Sequence, residues 1–165
     1  MFSLKTRDMH NFSLKIREAE QLDLDEIYRI EIECFAEESF TYSQLKYYLD
    51  SPNFITLIAS VNGETAGFIV GSIEDADGER VGHIYTLDVK RKFRRVGVGS
   101  ALLQALERSF IERGAVRSCL EVRSDNIAAK NLYLKLGYEP MGIIRDYYGL
   151  GLDAIRFEKA LRKYG

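Results

Sequence analysis

The spacing of apolar residues divides the sequence into helices and strands. Leu24, Ile27, Ile30 and Cys34 recur at helical intervals and predict an amphipathic helix. Mostly apolar runs bounded by Gly, Pro, Asn or Asp predict strands. The predicted helices are 23–34, 41–49, 101–113 and one that runs to 136 from a cap at 125 or 126. The predicted strands are 13–17, 54–61, 65–74, 81–89 and 117–122, with two further strands that include 143–144 and 155–157.

Local signals support several of these boundaries. Thr41 and Gln44 have the spacing of a capping box, with Phe40 placed for a hydrophobic staple. Asn62-Gly63 is a hairpin-turn signal, and Gly137 is suited to ending the last helix. The predicted order is β-α-α-β-β-β-α-β-α-β-β. Hairpins followed by a strand–helix–strand unit require a mixed sheet that is parallel near its middle, in the α/β (α+β) class.

Length and composition are typical of one folded domain. Of 165 residues, 46% are hydrophobic and 29% are charged, so we expect a single domain over 13–165 with a short N-terminal extension at 1–12. The net charge of −2 gives no overall attraction to nucleic acid. No stretch approaches the ~18 apolar residues of a membrane helix. Two cysteines without ligand spacing and two histidines predict free thiols, a cytoplasmic setting and no metal site.

The most informative segment is the glycine-spaced, cationic turn at 94–101 between a strand and a helix. Unpaired backbone N–H groups and the helix dipole at such a turn favour an anion, and Arg94 and Arg95 add donors suited to phosphate. The turn lacks the Gly-Lys-Ser/Thr ending of a Walker loop and the third glycine of a dinucleotide fingerprint. A turn without a phosphate role, or a solvated charge run, is the alternative.

Several motifs in order resemble the GNAT acetyltransferases, in particular the RimI-like and archaeal N-terminal acetyltransferases. Arg94-x-x-Gly97-x-Gly99 fits the family's pyrophosphate-binding signature. Cys34-Phe-Ala-Glu37 resembles its first inter-helix loop more loosely. Further matching segments between residues 82 and 161 are Gly82-His-Ile-Tyr-Thr-Leu-Asp-Val89, Leu120-Glu-Val-Arg123, Ser124-Asp-Asn126, Asn131-Leu-Tyr-Leu-Lys-Leu-Gly-Tyr138, Asp146-Tyr-Tyr148 and Asp153-Ala154. The resemblance implies a mostly antiparallel, seven-stranded mixed sheet whose central parallel pair splays around acetyl-CoA, with about four helices.

The resemblance also implies the residues that bind acetyl-CoA. Those expected to hold the pyrophosphate are Arg94, Arg95, Val96, Gly97, Val98, Gly99 and Ser100. The backbone of Leu87, Asp88 and Val89 is expected to contact the acetyl carbonyl. Asn126 is expected to contact the pantetheine arm, and the Tyr133 hydroxyl to protonate the departing thiolate. Without the resemblance, a core aromatic is the simpler interpretation of Tyr133, because aromatics at helical spacing usually pack in the core.

Acetyl transfer to an amine also needs a base, for which Glu121 is the candidate. Glu121 alternates with Leu120 and Val122 on a strand, so its side chain faces away from both apolar neighbours. An exposed strand carboxylate is the simpler interpretation of the residues alone. The resemblance implies the catalytic role, because Glu121 matches the family's general-base glutamate.

Four residues are candidates for substrate binding by the same resemblance: Glu37, His83, Tyr147 and Tyr148. A structural histidine and a packed tyrosine pair are the alternatives. The sequence departs from its relatives at 149–152, where Gly-Leu-Gly-Leu replaces an acidic turn, and the two leucines indicate an apolar wall or a partner surface.

These residues lead to one preferred function and two alternatives. The preferred function is acetylation of the α-amino group of protein or peptide N-termini, by direct attack in a ternary complex with acetyl-CoA. The first alternative is acetylation of a free small amine, such as a polyamine, an antibiotic or an amino acid. The second is a non-catalytic CoA-binding module. The sequence leaves the oligomeric state open.

Overall fold

The computed structural model describes residues 12–162. The predicted N-terminal extension, apart from Phe12, and residues 163–165 lie outside the described residues. The four helices are α1 (Leu24–Phe35), α2 (Tyr42–Asp50), α3 (Val98–Glu112) and α4 (Ile127–Lys135). The seven strands are β1 (Leu14–Glu18), β2 (Phe54–Val61), β3 (Glu64–Ala76), β4 (Glu79–Val89), β5 (Arg117–Arg123), β6 (Glu139–Ile144) and β7 (Ala154–Ala160). The predicted order of elements is confirmed.

Several element boundaries differ from the prediction, and the starts of α3 and β6 have a physical reason. Helix α3 begins at Val98 instead of residue 101, because the glycine-containing turn itself forms the first helical residues. Strand β6 includes the predicted 143–144 and begins earlier, at Glu139. It is exposed along its whole length and contains Pro140, so it lacks the apolar alternation from which strands are predicted. Proline is tolerated there because β6 is an edge strand.

The seven strands are hydrogen-bonded in the order β1-β2-β3-β4-β5-β7-β6. β4 and β5 run parallel, with His83 opposite Cys119, whereas β7 pairs antiparallel with both β5 and β6. The mixed sheet with a parallel pair confirms the predicted fold class. Because β5 lies between β4 and β7, Glu121 on β5 has β4 on one side and β7 on the other.

The chain divides into two compact units. The first contains 12–51, 56–69 and 87–105, and the second contains 52–55, 70–86 and 106–162. Buried side chains at the centre of the first unit include Leu24, Ile27, Ile30, Leu45, Phe68 and Leu102. Those at the centre of the second unit include Leu106, Phe110, Leu120, Tyr138 and Phe157.

In the second unit, α3 covers one face of the sheet. A Cβ added at Gly82 would lie 2.1 Å from the Phe110 ring, so only glycine allows the helix to pack this closely on β4. His83 and Tyr85 alternate with Gly82 and Ile84, and they therefore point to the opposite face. In the second unit, the apolar face of the sheet therefore packs against α3, and the opposite face carries polar side chains.

Within residues 12–162, no helix combines the length and hydropathy needed to cross a bilayer. In the same range, no three histidine, cysteine or acidic side chains are grouped so that they could hold a metal ion.

Candidate active site

The turn before α3, in the first unit, is an open concavity of backbone amides. Arg95 has φ +64° and Gly97 has φ +92°, and this alternation with Val96 turns successive N–H groups toward one side. The first helical hydrogen bond at this end runs from Ala101 N–H to Gly97 O, so the amides just before Ala101 have no helical acceptor. A Cβ at Gly97 would meet no atom within 4 Å. Such a turn has the shape and charge to hold phosphate.

Arg94 holds this turn in place. Its Nε donates to Val89 O at 2.9 Å, and its Nη2 lies 3.6 Å from the Cys34 Sγ. Arg94 thus connects the turn to the end of β4, whereas Arg95 is exposed at the mouth of the turn. Val89 and Asp88 lie at the same end of β4, where a Cβ at Gly67 would lie 2.3 Å from Asp88 O. Leu87 precedes them and is half-buried.

In the second unit, charged side chains from neighbouring strands meet on the polar face of the sheet. Glu121 lies directly opposite Arg156 in the β5–β7 register, and their Oε1 and Nη1 atoms are 2.8 Å apart. Glu121 Oε2 lies 2.7 Å from His83 Nε2. On the far side of the ring, His83 Nδ1 lies 3.1 Å from Glu74 Oε1. We call Glu74, His83, Glu121 and Arg156 the charged cluster.

Burial increases from one side of the charged cluster to the other. The Glu121 side chain is 8% exposed and His83 is 16% exposed, whereas Glu74 is 44% exposed. The ring of His83 also packs against Tyr85, with centroids 4.7 Å apart. An imidazole held this way between two carboxylates can take up a proton and keep it hydrogen-bonded on both sides.

The pKa values in the charged cluster shift in opposite directions. Burial disfavours the ionised form of Glu121, but the hydrogen bond and charge of His83, with Arg156, outweigh it and hold the pKa of Glu121 below 4.5. Burial likewise disfavours a charged ring, but Glu121 and Glu74 raise the pKa of His83 above 6.5. The two groups share a short hydrogen bond and accept a proton as a pair. We call them the Glu121–His83 pair.

The loop at 145–153 reaches the charged cluster through Tyr148. The Tyr148 hydroxyl donates to the backbone O of Glu121 at 3.2 Å, and its ring meets that of Tyr147 edge-on at 4.9 Å. Asp146 holds the loop closed by accepting from the N–H of Gly151 at 2.7 Å. The structure therefore brings together three predicted residues, Glu121, His83 and Tyr148, with Tyr147 beside them. Leu150 is 94% exposed at the tip.

The remaining predicted residues lie in other surroundings. Asn126 caps α4, with its side-chain Oδ1 accepting from Ala129 N–H, which leaves its amide nitrogen as the group able to donate to a ligand. Tyr133 is 7% exposed and packs on Tyr138 and Phe157. Glu37 is exposed in the single turn Ala36–Glu38 that follows α1 in the first unit.

Sequence reasoning missed Glu74 and Arg156. Arg156 alternates with Ile155 and Phe157 on β7, so its side chain could be assigned to the polar face. Its contact with Glu121 depends on β7 pairing with β5, which neither spacing nor composition indicates. Glu74 follows the apolar part of β3 and carried no signal beyond its strand.

Sequence comparison identifies a family and named relatives. The profile of the acetyltransferase (GNAT) family matches residues 24–138. An uncharacterized N-acetyltransferase of Methanocaldococcus jannaschii is 34% identical over 144 residues, covering 85% of this chain and 87% of that protein. An N-alpha-acetyltransferase of Sulfurisphaera tokodaii is 34% identical over 149 residues, covering 85% of this chain and 89% of that protein.

A solved structure gives the same indication. The ribosomal-protein-S18-alanine N-acetyltransferase of Escherichia coli superimposes with a TM-score of 0.79 at 27% identity. The match covers 93% of this chain and 97% of that protein.

Proposed function

Since the chain belongs to the acetyltransferase (GNAT) family, we propose that it transfers the acetyl group of acetyl-CoA to the α-amino group of a protein or peptide N-terminus. The observation that carries the proposal is the Glu121–His83 pair, joined at 2.7 Å on the polar face and adjoining the tyrosine-bearing loop. The names of the two relatives and of the solved structure support the same chemistry.

The properties of the Glu121–His83 pair suit an α-amine. A peptide α-amine has a pKa of about 7.7–8.0, whereas a lysine amine has a pKa near 10.4. Glu121 and Glu74 raise the pKa of His83, which shifts the affinity of the pair for a proton toward that of an α-amine. In the proposed reaction, the pair removes the proton that makes the amine unreactive. A lysine side chain would require a stronger base.

The turn before α3 fits acetyl-CoA at its pyrophosphate. Its amides face an open space at Gly97, where a side chain would occupy the concavity. Residues 94–100 would hold the pyrophosphate, and Asn126 the pantetheine arm through its side-chain amide. When bound, acetyl-CoA supplies an acetyl group activated as a thioester. The backbone of Leu87, Asp88 and Val89 would hold the acetyl carbonyl by its oxygen.

The buried Tyr133 would provide the proton for the departing sulfur. The phenol O–H of Tyr133 is the hydrogen-bond donor of this side chain, and the ring packs against Tyr138 and Phe157. We propose that amine attack is direct. Burial raises the pKa of both Cys34 and Cys119 to about 11, so neither thiol supplies a ready nucleophile for an acetyl-enzyme. Free thiols also agree with the proposed cytoplasmic setting.

We propose that the substrate peptide lies against the 145–153 loop. Tyr147 and Tyr148 are partly exposed aromatic side chains, and the Tyr148 hydroxyl donates to the Glu121 backbone. The exposed Leu150 would contact apolar side chains of the peptide.

Acetylation of a mixed panel tests the proposal. Short peptides with different first residues and free small amines are incubated separately with the enzyme and acetyl-CoA, and thiol release is followed. We expect thiol release with peptides and, as a control, its loss in Glu121→Gln. Activity confined to the free amines would support the small-amine alternative. Binding of acetyl-CoA without acetylation of any amine would support a non-catalytic module.

A further inference from the structure

We propose that Glu74 is a positioning residue of the Glu121–His83 pair: it holds Nδ1 of His83 so that Nε2 faces Glu121, and it places a second negative charge beside the ring. The inference rests on the proposed catalytic role of the pair. It concerns a residue that is linked to Glu121 through the His83 ring.

Glu74 is itself held by several donors, which makes it a fixed support for the ring. The Oε1 atom of Glu74 accepts from the Tyr85 hydroxyl at 2.9 Å and the Ser72 hydroxyl at 3.0 Å, and lies 3.1 Å from His83 Nδ1. The Tyr85 ring packs against His83 at 4.7 Å and against Phe54 at 5.2 Å. A carboxylate with these contacts can orient the imidazole without moving itself.

The charges around His83 show why Glu74 matters. The Arg156 guanidinium offsets the charge of Glu121, with Nη1 and Oε1 2.8 Å apart. Among residues 12–162, the donors to Glu74 besides the His83 ring are neutral hydroxyl groups. Glu74 therefore supplies a negative charge that an arginine does not compensate. Titratable or charged side chains surround the pair from four strands and the loop: Glu74 on β3, Tyr85 on β4, Cys119 on β5, Arg156 and Glu158 on β7, and Tyr147 in the loop.

The chemical consequence follows from the strength of the base. When the amine loses its proton, the pair gains a positive charge, and the Glu74 carboxylate stabilises that charge from the Nδ1 side. Removing the charge while keeping a hydrogen-bond acceptor would leave a correctly oriented but weaker base. A weaker base lowers the maximal rate and moves its own titration to lower pH. Loss of packing alone would not link these two effects.

Glu74→Gln tests this because glutamine keeps an acceptor oxygen for Nδ1 but has no charge. We expect the single-turnover rate of acetyl transfer at high pH to fall by roughly tenfold. We also expect the acidic limb of kcat/KM to move to lower pH, with an unchanged KM for acetyl-CoA. Glu74→Asp should recover most of the limb position. Glu79→Gln is the matched control, since it removes an acid on the same hairpin that pairs with Arg117 instead.

If Glu74→Gln leaves both the single-turnover rate and the acidic limb of kcat/KM unchanged, the inference is overturned. A fall in rate that occurs without any shift of the limb also overturns it, because that outcome describes a structural role only.

NMR titration of the His83 ring gives a second measurement that needs neither substrate nor turnover. We expect the ring to titrate above 6.5 in the wild type and at clearly lower pH in Glu74→Gln, with Glu79→Gln unchanged. Equal titration of wild type and Glu74→Gln would overturn the inference even if Glu74→Gln lowered activity. Failure of the peptide panel would overturn the proposed function and leave this titration as a separate test of the Glu74–His83 contact.

Discussion

The phosphate-binding turn and the charged cluster are built in opposite ways. The turn comes from one uninterrupted segment, 94–100, whose glycines and helix start create the site through the backbone. The charged cluster gathers Glu74, His83, Glu121 and Arg156 from four different strands, and it works through side chains. Changes in the turn should therefore alter cofactor affinity, whereas changes in the cluster should alter rate and pH dependence.

The largest expected effect is the loss of acetyl-CoA affinity caused by a substitution in the turn. Gly99→Trp places a bulky ring at the second residue of α3, beside the backbone amides of the turn. We expect affinity for acetyl-CoA to fall at least ~100-fold, which is about 2.7 kcal/mol, measured by calorimetry. Gly63→Trp is the control, because Gly63 lies in the β2–β3 hairpin turn and faces open space. Affinity retained in Gly99→Trp would contradict the role of the turn.

The next effect concerns the base. Glu121→Gln removes the buried carboxylate of the Glu121–His83 pair, and kcat should fall roughly 100-fold, while affinity for acetyl-CoA stays unchanged. Loss of this negative charge should also lower the pKa of His83, because Glu121 is a main cause of its rise. Stopped-flow acetyl transfer and calorimetry on the same variant separate the two quantities. Equal losses of rate and acetyl-CoA affinity would show that the two regions are not distinct in function.

The same contrast explains why the sequence predicted the turn better than the charged cluster. The turn could be predicted as an anion site because its glycines, arginines and helix start are contiguous. Glu121 could be assigned to a polar strand face by alternation, and the family resemblance gave it a role. Its partner Arg156 could not be found, because that contact depends on the strand order β5-β7-β6 and on register. Glu74 could not be found because its contact with His83 depends on β3 lying beside β4. Strand β6 was underestimated because an exposed edge strand has no apolar pattern.

A smaller effect is expected when the positive charge of Arg156 is removed from the charged cluster. Arg156→Gln removes the positive charge that helps to keep the pKa of Glu121 low, so that pKa should rise. The more negative surroundings should move the acidic limb of kcat/KM to higher pH, opposite to Glu121→Gln, by on the order of one pH unit or less. Arg117→Gln, which breaks an ion pair with Glu79, is the control. A limb that moves to lower pH in Arg156→Gln would contradict the assigned charges.

The same variant has a consequence for stability. In the wild type, the lowered pKa of Glu121 means that its ionisation stabilises the fold above pH 4.5, and that this contribution is lost as pH falls through the lower, folded-state value. Arg156→Gln should therefore reduce the acid dependence of the free energy of unfolding. Urea denaturation at pH 7 and at pH 4 measures this dependence. If the free energy of unfolding differs between the two pH values by the same amount in the wild type and in Arg156→Gln, the Glu121–Arg156 pair is not its source.

The proposed role of the Glu121–His83 pair is to deprotonate an α-amine. One peptide that carries both a free N-terminus and an internal lysine tests this role, acetylated by the wild-type enzyme and fragmented in a mass spectrometer. We expect acetylation at the α-amine, with the lysine unmodified and product formation strongly slowed in Glu121→Gln. Acetylation of the lysine with a free N-terminus would contradict it.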